Sequence, residues 1–173
     1  MAASQFDAVP YEEGRKWELL EGELIEKPSP TPQHQLVVST FFTSLRQYFQ
    51  TSPIGAALPG GEFALNESTR VRPDVCVLLH NRWTNLDRRR IPIPGAPDIA
   101  IEIISPSERT ADSLRKVRIY LRAGVQEVWQ IYPEEGTVVI YASNVPLRVL
   151  NESDTLTTPL LPGWQLSIHD ILA

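Results

Sequence analysis

The sequence predicts a mixed α/β fold in which a mixed central sheet is flanked by helices and preceded by an N-terminal β-hairpin. The main observation is the order of the apolar patterns, which after the hairpin is helix, three strands, helix and strand. A second observation is that the chain contains neither an internal repeat nor a low-complexity segment. Its 173 residues, with ordinary apolar content, can bury one core, so we expect a single domain over residues 1–173.

The first predicted elements are a hairpin and a helix. Residues 17–27 form two short strand patterns around Glu21-Gly22, a pair similar to the turns that close hairpins. In the helix, Thr31 is a suitable N-cap and Pro32 suits the first turn. The apolar residues that recur at helical spacing before the expected end near Gln50 are Val37, Phe41, Leu45 and Tyr48.

Three strands and a loop follow. Gly60-Gly61 opens a strand through Leu65, and Val71–Leu79 forms another, in which Pro73 is tolerated only near the start or at an edge. The polar, Arg-rich and Pro-rich stretch from His80 to Pro97 is predicted as a loop. Residues 98–105 form an apolar strand interrupted by one acid.

The remaining elements are a second helix and further strands. Ser105-Pro106-Ser107 breaks the chain before the helix from about Thr110 to Ala123, and Gly124 is the expected helix stop. The strands predicted after it are Val125–Tyr132 and Thr137–Tyr141, followed by short strand fragments and a terminal helical turn.

Composition limits the classes of function. No apolar run is long enough to span a bilayer and the N-terminal residues lack the pattern of a secretion signal, so we expect no membrane association and a cytoplasmic location. The net charge of −5 does not indicate nucleic-acid binding, although local basic faces and bound cations can outweigh it. Cys76, the only cysteine, lies in an apolar run and is expected to be buried in the core.

Two acids stand in apolar strands, where an ionised carboxylate is unfavourable unless it is compensated. Glu102 lies among isoleucines and Asp74 precedes the run Val75–Leu79. A shared divalent cation is the simplest compensation, because Mg²⁺ takes carboxylate oxygens and waters and is usually held by one or two acids. Two separate salt bridges are the alternative.

Lys116 is the third candidate. The second helix has the apolar stripe Leu114, Val117 and Leu121, and Lys116 lies on a flanking stripe with Asp112 and Tyr120. A lysine beside a metal-bound water can orient it or help remove its proton. A solvated lysine paired with Asp112 is the more common arrangement for such a pattern.

Glu18 and His34 are possible supporting residues. Glu18 and Glu21 bracket the hairpin turn; an additional acid near the metal site could hold a second cation or position a substrate, although exposed hairpin acids are the more common case. His34 lies in the first turn of the first helix, where its ring either meets the active site or interacts with exposed backbone.

Other polar and aromatic residues receive no assigned role, and the nucleic-acid-binding residues stay unknown. Two basic groups could contact phosphates or be solvated faces. They are Arg115, Arg118 and Arg122 on the helix, and Arg82, Arg88, Arg89 and Arg90 in the loop. Trp129 and Tyr132 are interpreted as core or interface aromatics.

The segments WELLEGELIE, His34, RPDV, APDIAIEIISPS, DSLRKVRIYLRAGVQEVW and LPGW together resemble the Uma-type endonuclease family, a group long labelled a domain of unknown function. The resemblance covers nearly the whole chain. It implies a restriction-endonuclease-like core of the PD-(D/E)XK superfamily and Mg²⁺-dependent phosphodiester cleavage. The element order derived above agrees with that core.

The resemblance places the two motif acids on Asp74 and Glu102 and the lysine on Lys116, within D-x3-K-x3-Y-x3-G. Ile104 stands where the superfamily has a lysine, so Lys116 would act from the following helix. Pro97-Asp98 is a competing Pro-Asp pair on the same strand face as Glu102. We prefer Asp74, because the acids must converge from neighbouring strands.

The leading hypothesis is an endonuclease dependent on Mg²⁺, which Mn²⁺ can replace, acting on nucleic acid, with DNA preferred. A homodimer is expected, because two active sites suit cleavage of both strands. The alternatives are a non-catalytic binding or assembly module on the same scaffold, and a metal-dependent hydrolase of a small phosphorylated compound.

Overall fold

The computed structural model describes residues 1–9 and 15–172. The elements in chain order are α1 (Ala3–Phe6), β1 (Lys16–Leu20), β2 (Glu23–Lys27), α2 (Pro32–Thr51), β3 (Gly55–Pro59), β4 (Phe63–Asn66), β5 (Thr69–Val71), β6 (Val75–Leu79), α3 (His80–Thr84), β7 (Ile93–Pro94), β8 (Ile99–Ile103), α4 (Thr110–Arg122), β9 (Glu127–Tyr132), β10 (Thr137–Ala142), β11 (Arg148–Asn151), β12 (Thr155–Thr157), β13 (Gln165–Ser167) and α5 (Ile168–Leu172). The predicted mixed α/β class is confirmed.

The predicted hairpin is formed by β1 and β2, which pair antiparallel from Lys16 opposite Lys27 to Leu20 opposite Glu23. Glu21 and Gly22 make the two-residue turn, with φ angles of 52° and 88°. A type I′ turn requires positive φ at both positions, and its twist matches that of the strands. The hairpin extends a five-stranded sheet in the order β2-β1-β5-β4-β7.

The central sheet has six strands in the order β11-β10-β9-β8-β6-β3. Strands β8 and β9 are parallel, and the other neighbouring pairs are antiparallel, so the sheet is mixed. Helix α4 connects the parallel pair, as a crossover must. Strands β12 and β13 form a separate two-stranded sheet.

One predicted strand and one predicted loop were wrong in detail, and one strand was missed. The strand expected over Val71–Leu79 is two strands, because Pro73 lies between β5 and β6, where the chain passes from the hairpin sheet to the central sheet. The loop expected from His80 to Pro97 contains α3 and β7, and β3 was not predicted. Strand β3 was missed because its small residues do not alternate between apolar and polar side chains.

The central sheet is covered on both faces. On one face, α2 packs Val37, Phe41 and Leu45 into a cluster that includes Trp129 and Trp164. On the other face, α4 packs Val117 and Tyr120, among other residues, against the sheet and hairpin. Among the described residues, no helix combines the length and apolar character needed to cross a membrane.

The orientation of α4 differs from the predicted one. Leu114, expected in the apolar stripe, is 40% exposed, whereas Ser113, Lys116 and Tyr120 are buried. The buried face is therefore rotated toward the stripe that was expected to flank the core. This rotation directs the charged end of Lys116 into the protein interior.

Candidate active site

Asp74 and Glu102 meet where β6 and β8 run side by side. Val75 lies opposite Ile101 in this antiparallel pair, so the next position along brings Asp74 beside Glu102. The backbone N–H of Ile103 donates to Asp74 Oδ2 at 2.9 Å and ties the acid to the neighbouring strand. The two predicted acids therefore lie side by side where two adjacent inner strands of the central sheet pair.

Lys116 reaches this pair from α4. Its Nζ lies 2.7 Å from Glu102 Oε1 and 3.0 Å from Glu18 Oε2. Burial disfavours the ammonium, but the carboxylates of Glu102 and Glu18 outweigh this effect and raise the pKa of Lys116. The structure thus places Lys116 in the acidic cluster, and the solvated arrangement with Asp112 considered from the sequence was wrong.

Glu18 is part of the cluster, in contrast to its expected exposure. The residue is only 2% exposed and accepts the backbone N–H of Arg72 at 2.6 Å. Glu21, the other acid of the hairpin turn, is exposed and pairs with Arg115 and Arg122. The two hairpin acids therefore differ: Glu18 supports the site, and Glu21 anchors the hairpin to α4.

Lys27 was not singled out from the sequence, but it lies at the centre of the site. Its Nζ is 3.1 Å from Asp74 Oδ1 and 3.6 Å from Glu102 Oε2, and it donates to the carbonyl of Arg72 at 2.8 Å. Burial opposes the charge, but Glu102 and Asp74 raise the pKa of Lys27 well above its ordinary value. A signal was available, because strand alternation and the hairpin register place Lys27 on the same face as Glu18.

His34 contributes both to the helix start and to the site. Its backbone N–H donates to Thr31 Oγ1 at 3.2 Å, which is the predicted cap. Its ring Nε2 lies 3.3 Å from Asp74 Oδ2, while the buried Nδ1 has no hydrogen-bond partner among the described residues. Burial would raise the pKa of Asp74, but Lys27 and His34 outweigh it and hold that pKa well below its usual range.

Tyr120 contacts Glu102 directly, and Glu108 interacts with the same cluster electrostatically. The hydroxyl of Tyr120 donates to Glu102 Oε1 at 2.7 Å, a contact that follows from the K-x3-Y spacing on α4. Burial raises the pKa of Glu102, with Lys116 and Lys27 opposing the shift. Glu108, in the loop before α4, has its pKa raised to about 7, chiefly by burial.

Asp98, the competing acid, lies at the other end of β8 and has a different environment. It accepts the backbone N–H of Leu79 at 2.7 Å and the side-chain amide of Gln126 at 2.8 Å, and Arg82 Nε is 3.4 Å away. Arg82 also donates to the carbonyls of Ala96 and Pro97. These contacts join the loop to the sheet, so neither residue faces the acidic cluster.

A cleft of about 330 Å³ opens beside the cluster. The residues lining it include Lys16, Lys27, His34, Arg72 and Asp74. The cleft meets the cluster at Asp74 and Lys27, whose side chains are 12% and 17% exposed. The other half of the cluster, formed by Glu18, Glu102 and Lys116, is almost fully enclosed.

The donor set fits a hard cation held by two acids. Among the described residues, no group of three or more His, Cys, Asp or Glu side chains is arranged to hold a metal ion. Asp74 and Glu102 nevertheless converge on one point, and the Lys27 ammonium lies there. Mg²⁺ is commonly held by one or two carboxylates with waters completing its shell.

Cys76 is fully buried, as expected, and burial raises its thiol pKa to about 12.

Comparisons with known proteins show the family and the fold of the chain. The model of the Uma2 family, described as "Putative restriction endonuclease", matches residues 3–169. A crystal structure from Anabaena variabilis, described as a "putative nuclease belonging to DUF820", superposes with a TM-score of 0.86 at 24% identity, covering 99% of this chain and 97% of that one. This likeness shows a restriction-endonuclease-like fold. No curated protein matches the chain.

Proposed function

The chain belongs to the Uma2 family of restriction-endonuclease-type proteins, and on this premise we propose that it is a Mg²⁺-dependent endonuclease that hydrolyses phosphodiester bonds in DNA. The single observation that carries the proposal is the convergence of Asp74 and Glu102 with the ammonium groups of Lys27 and Lys116, beside a cleft that Asp74 and Lys27 line. Perturbed acids and bases that cluster in a cleft are typical of active sites.

Asp74 and Glu102 would hold Mg²⁺, or Mn²⁺ in its place. When bound, such an ion supplies an activated water and stabilises charge on the phosphate oxygens. The chain fixes both acids in advance: the Ile103 N–H and the His34 ring orient Asp74, and the hydroxyl of Tyr120 orients Glu102. This positioning reduces the reorganisation needed during the reaction.

Lys116 is proposed to orient the attacking water. Its ammonium contacts both oxygens of Glu18 and one of Glu102, which fixes the position of its N–H donors beside the acid proposed to hold the metal. Glu18 acts as a positioning residue, because it accepts the Arg72 N–H and holds the Lys116 ammonium at the same time. His34 has the corresponding role for Asp74.

The cleft supports a nucleic-acid substrate despite the net charge of −5. Lys16, Lys27 and Arg72 line it together with the acids Asp74 and Glu134, so cationic side chains outnumber acidic ones along its walls. Ammonium and guanidinium groups neutralise phosphates regardless of base sequence. A bound divalent cation would add to this attraction.

The test compares cleavage of plasmid DNA by the wild-type protein and the variants Asp74→Asn and Glu102→Gln in Mg²⁺. Both substitutions keep the side-chain shape and remove the charge, so each is expected to lower the rate on the order of 100-fold or more. Asp170→Asn, an exposed acid on α5, is the matched control and should cleave at the wild-type rate. Equal cleavage by all four proteins would refute the proposal.

A homodimer is proposed as the assembly, because cleavage of both DNA strands is served by two sites related by a two-fold axis. Strand β11 lies at the edge of the six-stranded sheet, and Val149 on it is 52% exposed. Unpaired edge strands with apolar side chains readily pair with another chain. We propose this edge as the dimer contact.

A non-catalytic binding module is the second candidate. The observation that favours it is the Lys27 ammonium, which compensates Asp74 and Glu102 without a metal. Such a module would bind DNA with the same affinity in EDTA and in Mg²⁺. Neither the wild-type protein nor the Asp74→Asn, Glu102→Gln and Asp170→Asn variants would bind Mn²⁺. Metal-dependent DNA cleavage by the wild-type protein would exclude it.

A further inference from the structure

We propose that Lys27 is a tethered cation that occupies the metal position in the metal-free protein and must leave before a divalent ion can bridge Asp74 and Glu102. The proposal rests on the proposed function only for the identity of the two acids. It does not require that the protein cleave DNA.

The geometry places both cations in one space. Lys27 Nζ lies 3.1 Å from Asp74 Oδ1 and 3.6 Å from Glu102 Oε2, so it sits between the carboxylates that would hold the metal. Mg²⁺ binds oxygen at about 2.1 Å. A divalent ion held by both carboxylates would therefore compete with the ammonium for the space between them.

The charge balance explains why the position is occupied by Lys27. Three carboxylates, those of Glu18, Asp74 and Glu102, converge on two ammonium groups. Lys116 pairs with Glu18 and Glu102, which leaves Asp74 to Lys27 and His34. Buried acids without a counter-charge are strongly unfavourable, so the metal-free fold needs a cation here.

Lys27 is also the ammonium that is able to move. It is the last residue of β2, its side chain is 17% exposed, and it lines the cleft. A lysine stem is flexible and its charge can follow a new partner. Lys116 is 6% exposed and held by Glu18 from the far side, so it stays in place when Lys27 departs.

Mn²⁺ titration calorimetry on the full chain tests the proposal with Lys27→Met against Arg118→Met. The control also removes one positive charge, but Arg118 is exposed on α4 and does not line the cleft. We expect Lys27→Met to bind Mn²⁺ about 10-fold tighter than wild type or more, and Arg118→Met to match wild type within about two-fold. The gain should disappear in Lys27→Met combined with Asp74→Asn.

Thermal unfolding provides the second measurement and shows whether each variant is folded. In EDTA, Lys27→Met should melt below wild type, because its acids lose their counter-charge. Saturating Mn²⁺ should raise its Tm more than that of wild type. Lys27→Gln, which keeps a polar end group, serves as a second variant if Lys27→Met does not fold.

The outcomes separate this proposal from the proposed function. Tighter Mn²⁺ binding by the Lys27 variants supports the proposal even if no protein cleaves DNA. Unchanged or weaker binding by both variants, or no saturable binding by any protein, overturns it. If the wild-type protein cleaves DNA while the variants show unchanged affinity, the endonuclease function stands and the role of Lys27 falls.

Discussion

Glu102 illustrates how single residues make a buried acid tolerable. Its carboxylate is enclosed among isoleucines, yet the Tyr120 hydroxyl donates to it and the ammonium groups of Lys116 and Lys27 form ion pairs with it. A buried carboxylate with this many partners is stable only as a set, because removal of one partner leaves an uncompensated charge. The stability of the site and its chemistry therefore depend on the same side chains.

We expect Lys116→Met to lower the free energy of unfolding by about 3–5 kcal/mol, because it leaves Glu18 and Glu102 without their shared counter-charge. Urea unfolding followed by circular dichroism measures the loss. Arg118→Met, on the exposed face of the same helix, is the control and should change stability by less than about 0.5 kcal/mol. Similar losses for both variants would contradict the structural role of Lys116.

Asp74 gives a prediction about pH. Its pKa is held below the ordinary value of 3.8, so its contribution to stability is complete above that pH and is lost as the pH falls toward the folded-state pKa. The difference in unfolding free energy between wild type and Asp74→Asn should therefore shrink as the pH is lowered from about 5 to about 3. Urea titrations at several pH values measure it, with Asp170→Asn expected to follow wild type. A constant difference across this range would show that Asp74 carries no such shift.

At the scale of elements, three pieces of the chain assemble the site: the hairpin carries Glu18 and Lys27, the sheet carries Asp74 and Glu102, and α4 carries Lys116. The bounds of the hairpin and of α4 were predictable, because turn and helix signals are local. The rotation of α4 was not, because Leu114 looks like a core residue until the hairpin is known to cover the adjacent stripe.

The hairpin turn tests how strongly the element supports the site. Gly22 has a φ of +88°, and a Cβ there would meet only ordinary contacts, the nearest at 3.4 Å, so the cost of Gly22→Ala is conformational. We expect a loss of about 1–2 kcal/mol in urea unfolding. Gly22→Asn should lose less, because asparagine tolerates positive φ. Equal losses would indicate a steric cause.

Lys27 marks the limit of what the sequence could predict about the candidate site. Asp74 and Glu102 were found because an acid in an apolar strand is conspicuous. The hairpin register predicts that Lys27 shares a face with Glu18, but only the folded chain shows that it bridges two acids 47 and 75 positions further along. Glu18 was underestimated for the same reason.

At the scale of the whole molecule, the site lies at the junction of two sheets. The chain crosses from the hairpin sheet to the central sheet at Arg72–Asp74, so the backbone that joins the sheets also supplies an acid. Lys116 and Glu18 are 98 positions apart in sequence, and their contact depends on this junction. Local patterns predict the elements, but long-range pairing of this kind follows only from how the sheets pack.

Light scattering tests the proposed assembly. We expect the wild-type mass to be that of a homodimer and Val149→Lys to shift it to a monomer, because a lysine on an edge strand discourages pairing. Val149 is 52% exposed on β11, and Leu36, which is 63% exposed on α2, provides the control variant Leu36→Lys. A monomeric wild-type protein would contradict the dimer, and a dimeric Val149→Lys would place the contact elsewhere.

The hairpin brings one acid and one ammonium to the site, Glu18 and Lys27. Its two contributions cancel, so docking of the hairpin encloses Asp74, Glu102 and Lys116 without altering their combined charge when all are ionised. The hairpin therefore shields the interior from water and preserves the excess of a single negative charge. A net negative charge at an enclosed site favours the binding of a cation.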